Sequence, residues 1–94
     1  MHFVIHCLDR VGAVNDRLAN YEAHKAYLGT APFKIIVSGP LLADDQETMI
    51  GSMFLVETAD RAAVEAFNAA DPFNRAGIWE RVDIHPFLKR VDIR

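Results

Sequence analysis

The stretch Ala13-Val14-Asn15-Asp16-Arg17-Leu18-Ala19-Asn20-Tyr21-Glu22-Ala23-His24-Lys25-Ala26-Tyr27-Leu28 contains neither proline nor glycine. It is rich in alanine, the strongest helix former, and therefore predicts an α-helix. Its larger apolar residues fall on one side of that helix, which we expect to be the buried side: Val14, Leu18, Tyr21 and Leu28. His24 lies at the border of that side, seven residues after Arg17. A titratable imidazole in such a place is suited to proton transfer.

The composition indicates a small, weakly acidic protein of one domain. The 94 residues are short enough for residues 1–94 to form a single domain. Hydrophobic residues make up 51% of the chain, which is high for this length. We therefore expect a second subunit, in a homodimer, to cover part of the apolar surface. The net charge of −3 lacks the basic footprint of nucleic-acid binding, so no nucleic-acid partner is expected.

Three features predict a soluble, cytoplasmic protein. Cys7 is the only cysteine, so no disulfide can form within the chain, as is usual in a reducing compartment. The first residues lack the cationic segment of a signal peptide. No apolar run approaches the roughly 20 residues of a membrane helix, so we expect no membrane association.

Four strands are predicted, over residues 3–8, 33–37, 49–58 and 78–85. In the first, Phe3, Ile5 and Cys7 alternate with His2, Val4, His6 and Leu8. Both faces are partly apolar, so both should be covered. Ser38-Gly39-Pro40 is expected to close the second strand and Pro86 to end the fourth. In the third strand, Gly51 marks a bulge or a close backbone approach.

A second helix is predicted over residues 62–70, with Asp60 as its N-cap and Ala63, Phe67 and Ala70 on one face. Asp71-Pro72 ends it, because proline disfavours a helical residue before it. Gly29 is expected to end the first helix in the left-handed conformation. The order β-α-β-β-α-β predicts an α+β, ferredoxin-like sandwich, with two helices on one face of a four-stranded antiparallel sheet. A second subunit's sheet would cover the other face, and residues 87–94 could reach that partner.

His24 and Asp71 form the first candidate site, because the ends of two antiparallel helices can meet at one rim of a sheet. A carboxylate that accepts a hydrogen bond from one imidazole nitrogen leaves the other nitrogen free to take a proton. The alternative, which spacing alone favours, is a surface histidine and a capping aspartate. Ser38-Gly39-Pro40 is a second candidate, offering a hydroxyl donor and close backbone approach, or simply a strand end.

No metal or cofactor site is predicted. His2 and His6 share a strand face but lie roughly 13 Å apart, too far for one ion. His6 could line a cavity with His24, although a packed strand histidine is the simpler interpretation. Neither a dinucleotide fingerprint nor a phosphate loop is present. We interpret Cys7 as a small buried thiol.

A series of short motifs closely resembles the YciI-like proteins, the YCII-related domain family, over nearly the whole chain. The motifs are Cys7-Leu8-Asp9-Arg10-Val11-Gly12-Ala13, Glu22-Ala23-His24-Lys25-Ala26-Tyr27-Leu28, Ser38-Gly39-Pro40-Leu41, Ile50-Gly51-Ser52, Asp71-Pro72-Phe73 and Ala76-Gly77-Ile78. The resemblance implies a dimeric α+β barrel, related in fold to muconolactone isomerase. It also implies an active site in which His24 and Asp71 act together, with Ser38, Gly39 and Pro40 nearby.

Two positions depart from the family pattern. Tyr21 stands where the family often has arginine or another polar residue, and Lys25 stands where leucine is common. One branch of the family resembles dehydrochlorinases of chlorinated aromatic breakdown, so the family by itself does not fix the chemistry.

Three hypotheses follow. The first is a cofactor-free enzyme that moves a proton, in an elimination or isomerisation, on a small aromatic or cyclic acid. In it His24 is the acid or base and Asp71 orients it. Ser38, Gly39 and Arg17 would bind an anionic oxygen of the substrate. Phe73 and Trp79 would form an apolar wall. The second is a non-catalytic module that binds or senses a small molecule. The third is a purely structural His24–Asp71 hydrogen bond.

Overall fold

The computed structural model describes residues 1–94, and its elements follow the predicted order. They are β1 (His2–Asp9), α1 (Val14–Leu28), β2 (Lys34–Leu42), β3 (Met49–Glu57), α2 (Arg61–Ala69), α3 (Pro72–Arg75) and β4 (Trp79–Phe87). The strands form one sheet in the order β2-β3-β1-β4, and every neighbouring pair is antiparallel. The α+β, ferredoxin-like prediction is confirmed, and the one-turn helix α3 is an addition to it. No helix is both long and apolar enough to cross a membrane.

The core lies between one face of the sheet and the helices. In β1, Phe3, Ile5 and Cys7 are at most 3% exposed, as the alternation predicted. Phe54 and Val56 of β3 join them on this face. The opposite face of β1, with His2, Val4, His6 and Leu8, is only half-buried.

The prolines do not end their strands. Ser38-Gly39-Pro40 lies within β2, and Pro86 lies within β4, so both predicted strand ends are wrong. The strand order gives the reason, because β2 and β4 are the two edges of the sheet. An edge strand has no neighbour on one side and tolerates a residue without an N–H.

The predictions for two glycines can be compared with the structure. A Cβ at Gly51 would lie 2.2 Å from the carbonyl oxygen of Cys7, which confirms the predicted close approach. Gly29 has φ −67°, so the predicted left-handed cap is wrong. Instead the chain continues in a right-handed turn, in which Thr30 donates backbone and hydroxyl hydrogen bonds to the Tyr27 carbonyl.

The predicted buried side of α1 is also wrong. Leu18 and Tyr21 are 58% and 48% exposed, whereas Arg17 and His24 are 3% and 7% exposed. The polar side of α1 is buried because each of these two side chains has a buried carboxylate partner in another part of the chain. Pairing offsets the desolvation that would otherwise keep such groups in water.

The second helix begins as predicted, since the Asp60 carboxylate accepts a hydrogen bond from the Ala63 amide. Its buried residues are Val64 and Asn68, not the predicted face of Ala63, Phe67 and Ala70. The buried residues thus lie one position later than the predicted ones. Alanine is compatible with either face of a helix, so an alanine-rich helix does not show from its sequence which face is buried.

Candidate functional site

His24 and Asp71 lie in contact, although 47 residues separate them in sequence. Nδ1 of His24 lies 2.8 Å from Oδ1 and 2.9 Å from Oδ2 of Asp71. Asp71 is 1% exposed. A buried carboxylate requires hydrogen-bond donors, and the imidazole supplies one of them.

The junction of α2 and α3 holds Asp71 in place. Asp71 is the N-cap of α3, and its Oδ1 accepts a hydrogen bond from the Phe73 amide at 2.8 Å. Pro72 occupies the first turn of α3, where its missing N–H costs nothing. Both oxygens of Asp71 lie close to Nδ1 of His24, an arrangement that suits one N–H shared between two acceptors, so we assign the shared proton to Nδ1.

Aromatic rings fix the plane of the His24 imidazole. It stacks on Phe73 with ring centroids 3.9 Å apart and an interplanar angle of 7°. Trp79 meets it edge-on, with centroids 6.2 Å apart. Nε2 of His24 forms no hydrogen bond within the chain and keeps contact with solvent. The nitrogen free to exchange a proton is therefore the accessible one.

A cavity of about 260 Å³ opens beside His24. Its lining comes from α1, β2, β3 and α3: Arg17, Tyr21, His24, Lys25, Leu28, Ser38, Gly39, Pro40, Met49, Ser52, Phe54 and Phe73. The structure thus brings His24 together at this cavity with the predicted binding residues Arg17, Ser38, Gly39, Pro40 and Phe73, and Asp71 lies behind His24. Trp79, expected as an apolar wall, does not line the cavity. His6 does not line it either, because its side chain belongs to the opposite face of the sheet.

Arg17 belongs to a buried polar cluster at the cavity wall. Its Nε and Nη2 donate to the two oxygens of Asp9, both at 2.8 Å. Nη2 also donates to Oγ of Ser52 at 2.9 Å. Nη1 has no partner within the chain and keeps solvent contact, so it remains available at the cavity.

Asp9 and Ser52 are members of this site that sequence reasoning missed. Ser52 is 3% exposed, and its hydroxyl donates no hydrogen bond within the chain. A signal for it existed, because Ser52 shares its strand face with the apolar residues Phe54 and Val56. A serine in such a row needs a polar partner, and a buried arginine needs an acceptor.

Tyr27 connects α1 to α2 close to the pair of His24 and Asp71, which we call the dyad. Its hydroxyl donates to the Phe67 carbonyl at 2.8 Å, and the two rings stack with centroids 4.4 Å apart. Burial, and then the negative charge of Asp71, raises the pKa of Tyr27 above its ordinary value. Tyr27 therefore stays neutral and serves as a hydrogen-bond donor.

Cys7 is a buried thiol, as predicted. It is 0% exposed, and Asn68 donates a weak hydrogen bond to its Sγ at 3.8 Å. Burial raises the pKa of Cys7 to about 12, so it is not a ready nucleophile. No group of three or more His, Cys, Asp or Glu side chains comes together in a way that could hold a metal ion.

Comparison with known protein families identifies the family of this chain. The model of the YCII-related domain matches residues 1–88. The chain belongs to the YCII-related domain family. Protein YciI of Escherichia coli O6:H1 is 30% identical to it over 96 residues, which cover 95% of this chain and 98% of that protein.

Solved structures extend the comparison. The enzyme 5-chloro-2-hydroxyhydroquinone dehydrochlorinase (TftG) of Burkholderia phenoliruptrix AC1100, in complex with 2,5-dihydroxybenzoquinone, is 35% identical to this YCII-related chain. The match has a TM-score of 0.84 and covers 94% of both chains. SnoaB of Streptomyces nogalater, a cofactor-independent oxygenase, has a TM-score of 0.55 at 16% identity and covers 98% of this chain and 94% of its own. At that identity SnoaB shares the fold alone.

Proposed function

We propose that this protein is an enzyme that moves a proton, in an elimination or isomerisation, on a small aromatic or cyclic acid. His24 is the general base and general acid, and Asp71 orients it. One observation supports this most strongly. Nδ1 of His24 is held by a buried carboxylate, while Nε2 is unpartnered at a cavity.

The proton transfer uses the two nitrogens in different ways. With its proton on Nδ1, the neutral imidazole presents a lone pair at Nε2 to a ligand O–H or C–H. When Nε2 takes that proton, the adjacent Asp71 carboxylate stabilises the imidazolium. In an elimination, the electron pair left on the ring expels the leaving group. In an isomerisation, Nε2 returns the proton to another atom.

Negative charge that develops on a ligand oxygen needs donors. We assign this role to the Ser52 hydroxyl and to Nη1 of Arg17, because both residues line the cavity and neither group has an acceptor in the chain. The Asp9 and Ser52 bonds hold the guanidinium in one orientation, so little reorganisation is needed during the reaction. Ser38 and the backbone at Gly39 border the same cavity and supply further polar contacts.

The walls favour a flat ring. Phe54, Phe73 and Pro40 line the cavity. Its volume, about 260 Å³, lies just below the range of roughly 300–1,000 Å³ for small-molecule sites, which suits one ring rather than two. The similarity to TftG, a named dehydrochlorinase with a quinone bound, makes a chlorinated hydroxylated ring the best first substrate to test.

The test is chloride release from 5-chloro-2-hydroxyhydroquinone by the wild type and by His24→Asn. His85→Asn is the matched control, because His85 is an exposed histidine on β4 outside the cavity. Release that requires His24 and not His85 supports the proposal. Release that is unchanged in His24→Asn removes His24 from the mechanism. A ligand that binds and is recovered chemically unchanged would favour the non-catalytic binding module.

We further propose that the protein is a homodimer, in which a second copy covers the open face of the sheet. This face of β1 and β3 contains the half-buried residues Val4, Leu8, Met53 and Leu55. Beyond β4, Leu88, Val91 and Ile93 are 68%, 83% and 95% exposed, an apolar tail that a partner would cover. Light scattering after size exclusion should give twice the chain mass, and a monomer mass would contradict the dimer.

A further inference from the structure

Lys25 differs from Arg17 and His24, the other basic residues of the cavity, in having no acidic partner. The lining contains no carboxylate. Asp9 neutralises Arg17, and Asp71 pairs with His24. The Lys25 ammonium forms neither an ion pair nor a hydrogen bond in the structure. It is therefore the uncompensated charge of this cavity.

Lys25 occupies the outer part of the wall. It follows His24 on α1, but it is exposed where His24 is buried. Tyr21 lies four residues earlier, on the same side of the helix, and also lines the cavity. A ring that lies against Phe54 and Phe73 would therefore have its outer edge near an ammonium group.

We propose that Lys25 selects single-ring ligands with an anionic oxygen group, a carboxylate or an acidic ring oxygen, by binding that group at the cavity mouth. This proposal rests on the proposed function in one respect only, namely that the ligand binds in this cavity. It does not depend on proton transfer by His24.

The physical basis is charge compensation. A lysine ammonium is a compact charge with three donors on a flexible stem, so it can meet an anionic oxygen in several ligand orientations. Because Lys25 is exposed, water screens the pair and the gain is modest. We expect a preference for the anion of about two- to five-fold in Kd, decreasing as salt is added.

Two probes of nearly equal shape test the proposal, namely 2,5-dihydroxybenzoate and its neutral carboxamide, 2,5-dihydroxybenzamide. Their binding to the intact protein is measured by NMR titration with the wild type, Lys25→Met and Lys34→Met. Lys34 is the matched control, because it is an exposed lysine that lies outside the cavity and forms no ion pair. Lys25→Met should raise the Kd of the benzoate about two- to five-fold and leave that of the benzamide unchanged. Lys34→Met should change neither Kd.

Two results would overturn the inference. One is an equal loss of affinity for both probes in Lys25→Met. The other is the absence of saturable benzoate binding by the wild type. The proposed function fails separately, when chloride release is absent or independent of His24. A protein that discriminates the two probes through Lys25 but turns over no substrate would contradict the proposed function alone.

Discussion

Both carboxylate oxygens of Asp71 lie within 2.9 Å of Nδ1 of His24, and one of them also accepts the Phe73 amide. Asp71 thereby joins the end of α2 and the start of α3 to the C-terminal half of α1. The imidazole stacks on Phe73, the residue whose amide binds the carboxylate. The orientation of His24 is thus set by groups that are themselves fixed, as a general base requires.

Asp71→Asn should lower kcat by at least about 100-fold on any substrate that depends on the dyad. The amide group can donate to Nδ1, which would stabilise the tautomer with its proton on Nε2 and remove the base. KM should change less than kcat, because Asp71 does not line the cavity.

Asp60→Asn is the matched control for an aspartate-to-asparagine change at a helix N-cap. Asp60 caps α2 as Asp71 caps α3, with its carboxylate bound to a backbone amide, but it contacts no histidine. It should leave kcat unchanged. An equal loss of kcat in the two variants would show that Asp71 acts through folding alone.

Ser52→Ala should lower kcat/KM about ten-fold, because the cavity loses a donor for the developing oxyanion. It should also lower the free energy of unfolding by about 1 kcal/mol, because Arg17 loses a buried acceptor. Steady-state kinetics and urea denaturation measure the two effects. Ser38→Ala removes an exposed hydroxyl at the same cavity and should leave stability unchanged. Unaltered kinetics in Ser52→Ala would exclude the assigned donor.

Gly51→Ala should lower the free energy of unfolding by about 2 kcal/mol or more. Its Cβ would collide with the Cys7 carbonyl, which belongs to the backbone of the central strand β1 and cannot move away. Gly39→Ala is the matched control, because nothing lies within 4 Å of a Cβ built there. Urea denaturation compares the two, and equal stabilities would contradict the packing of β3 on β1.

Cys7 should resist alkylation by iodoacetamide at about pH 8 until the protein unfolds, because burial raises its pKa to about 12. The folded state keeps a proton that the unfolded chain releases near the ordinary thiol pKa of 9.0. Below about pH 9 the thiol keeps its proton in both states and does not reduce the free energy of unfolding. As the pH rises from about 9 toward 12, only the unfolded chain loses the proton, so the free energy of unfolding falls. Urea denaturation of wild type and Cys7→Ala at increasing pH tests this sign. Rapid labelling of the folded protein would contradict the burial.

The sequence was sufficient for the order of elements, because strand alternation and helix-forming runs are local properties. It was insufficient for the strand ends at Pro40 and Pro86, since a proline is tolerated only once its strand is known to be an edge. It misplaced the buried side of α1 for a similar reason. Hydrophobic periodicity within one helix cannot foresee that Arg17 and His24 pair with buried carboxylates outside it, Asp9 on β1 and Asp71 at the start of α3.

Part of the candidate site could likewise be predicted from the sequence, and part of it could not. The resemblance to the family placed His24 and Asp71 together, and the geometry is consistent with that pairing. Ser52 and Asp9 became visible only through tertiary contacts with Arg17. Their roles depend on which atoms remain unpartnered, a property of the folded chain rather than of any motif.

The most direct test of the central claim is the proton occupancy of the two His24 nitrogens, measured by long-range proton–nitrogen NMR from about pH 5 to about pH 9. We expect the neutral ring to carry its proton on Nδ1, donated to Asp71, and to leave Nε2 without one. In Asp71→Asn the proton of the neutral ring should move to Nε2. A wild-type protein whose neutral His24 has its proton on Nε2 would contradict the account, because the nitrogen at the cavity could not then act as a base.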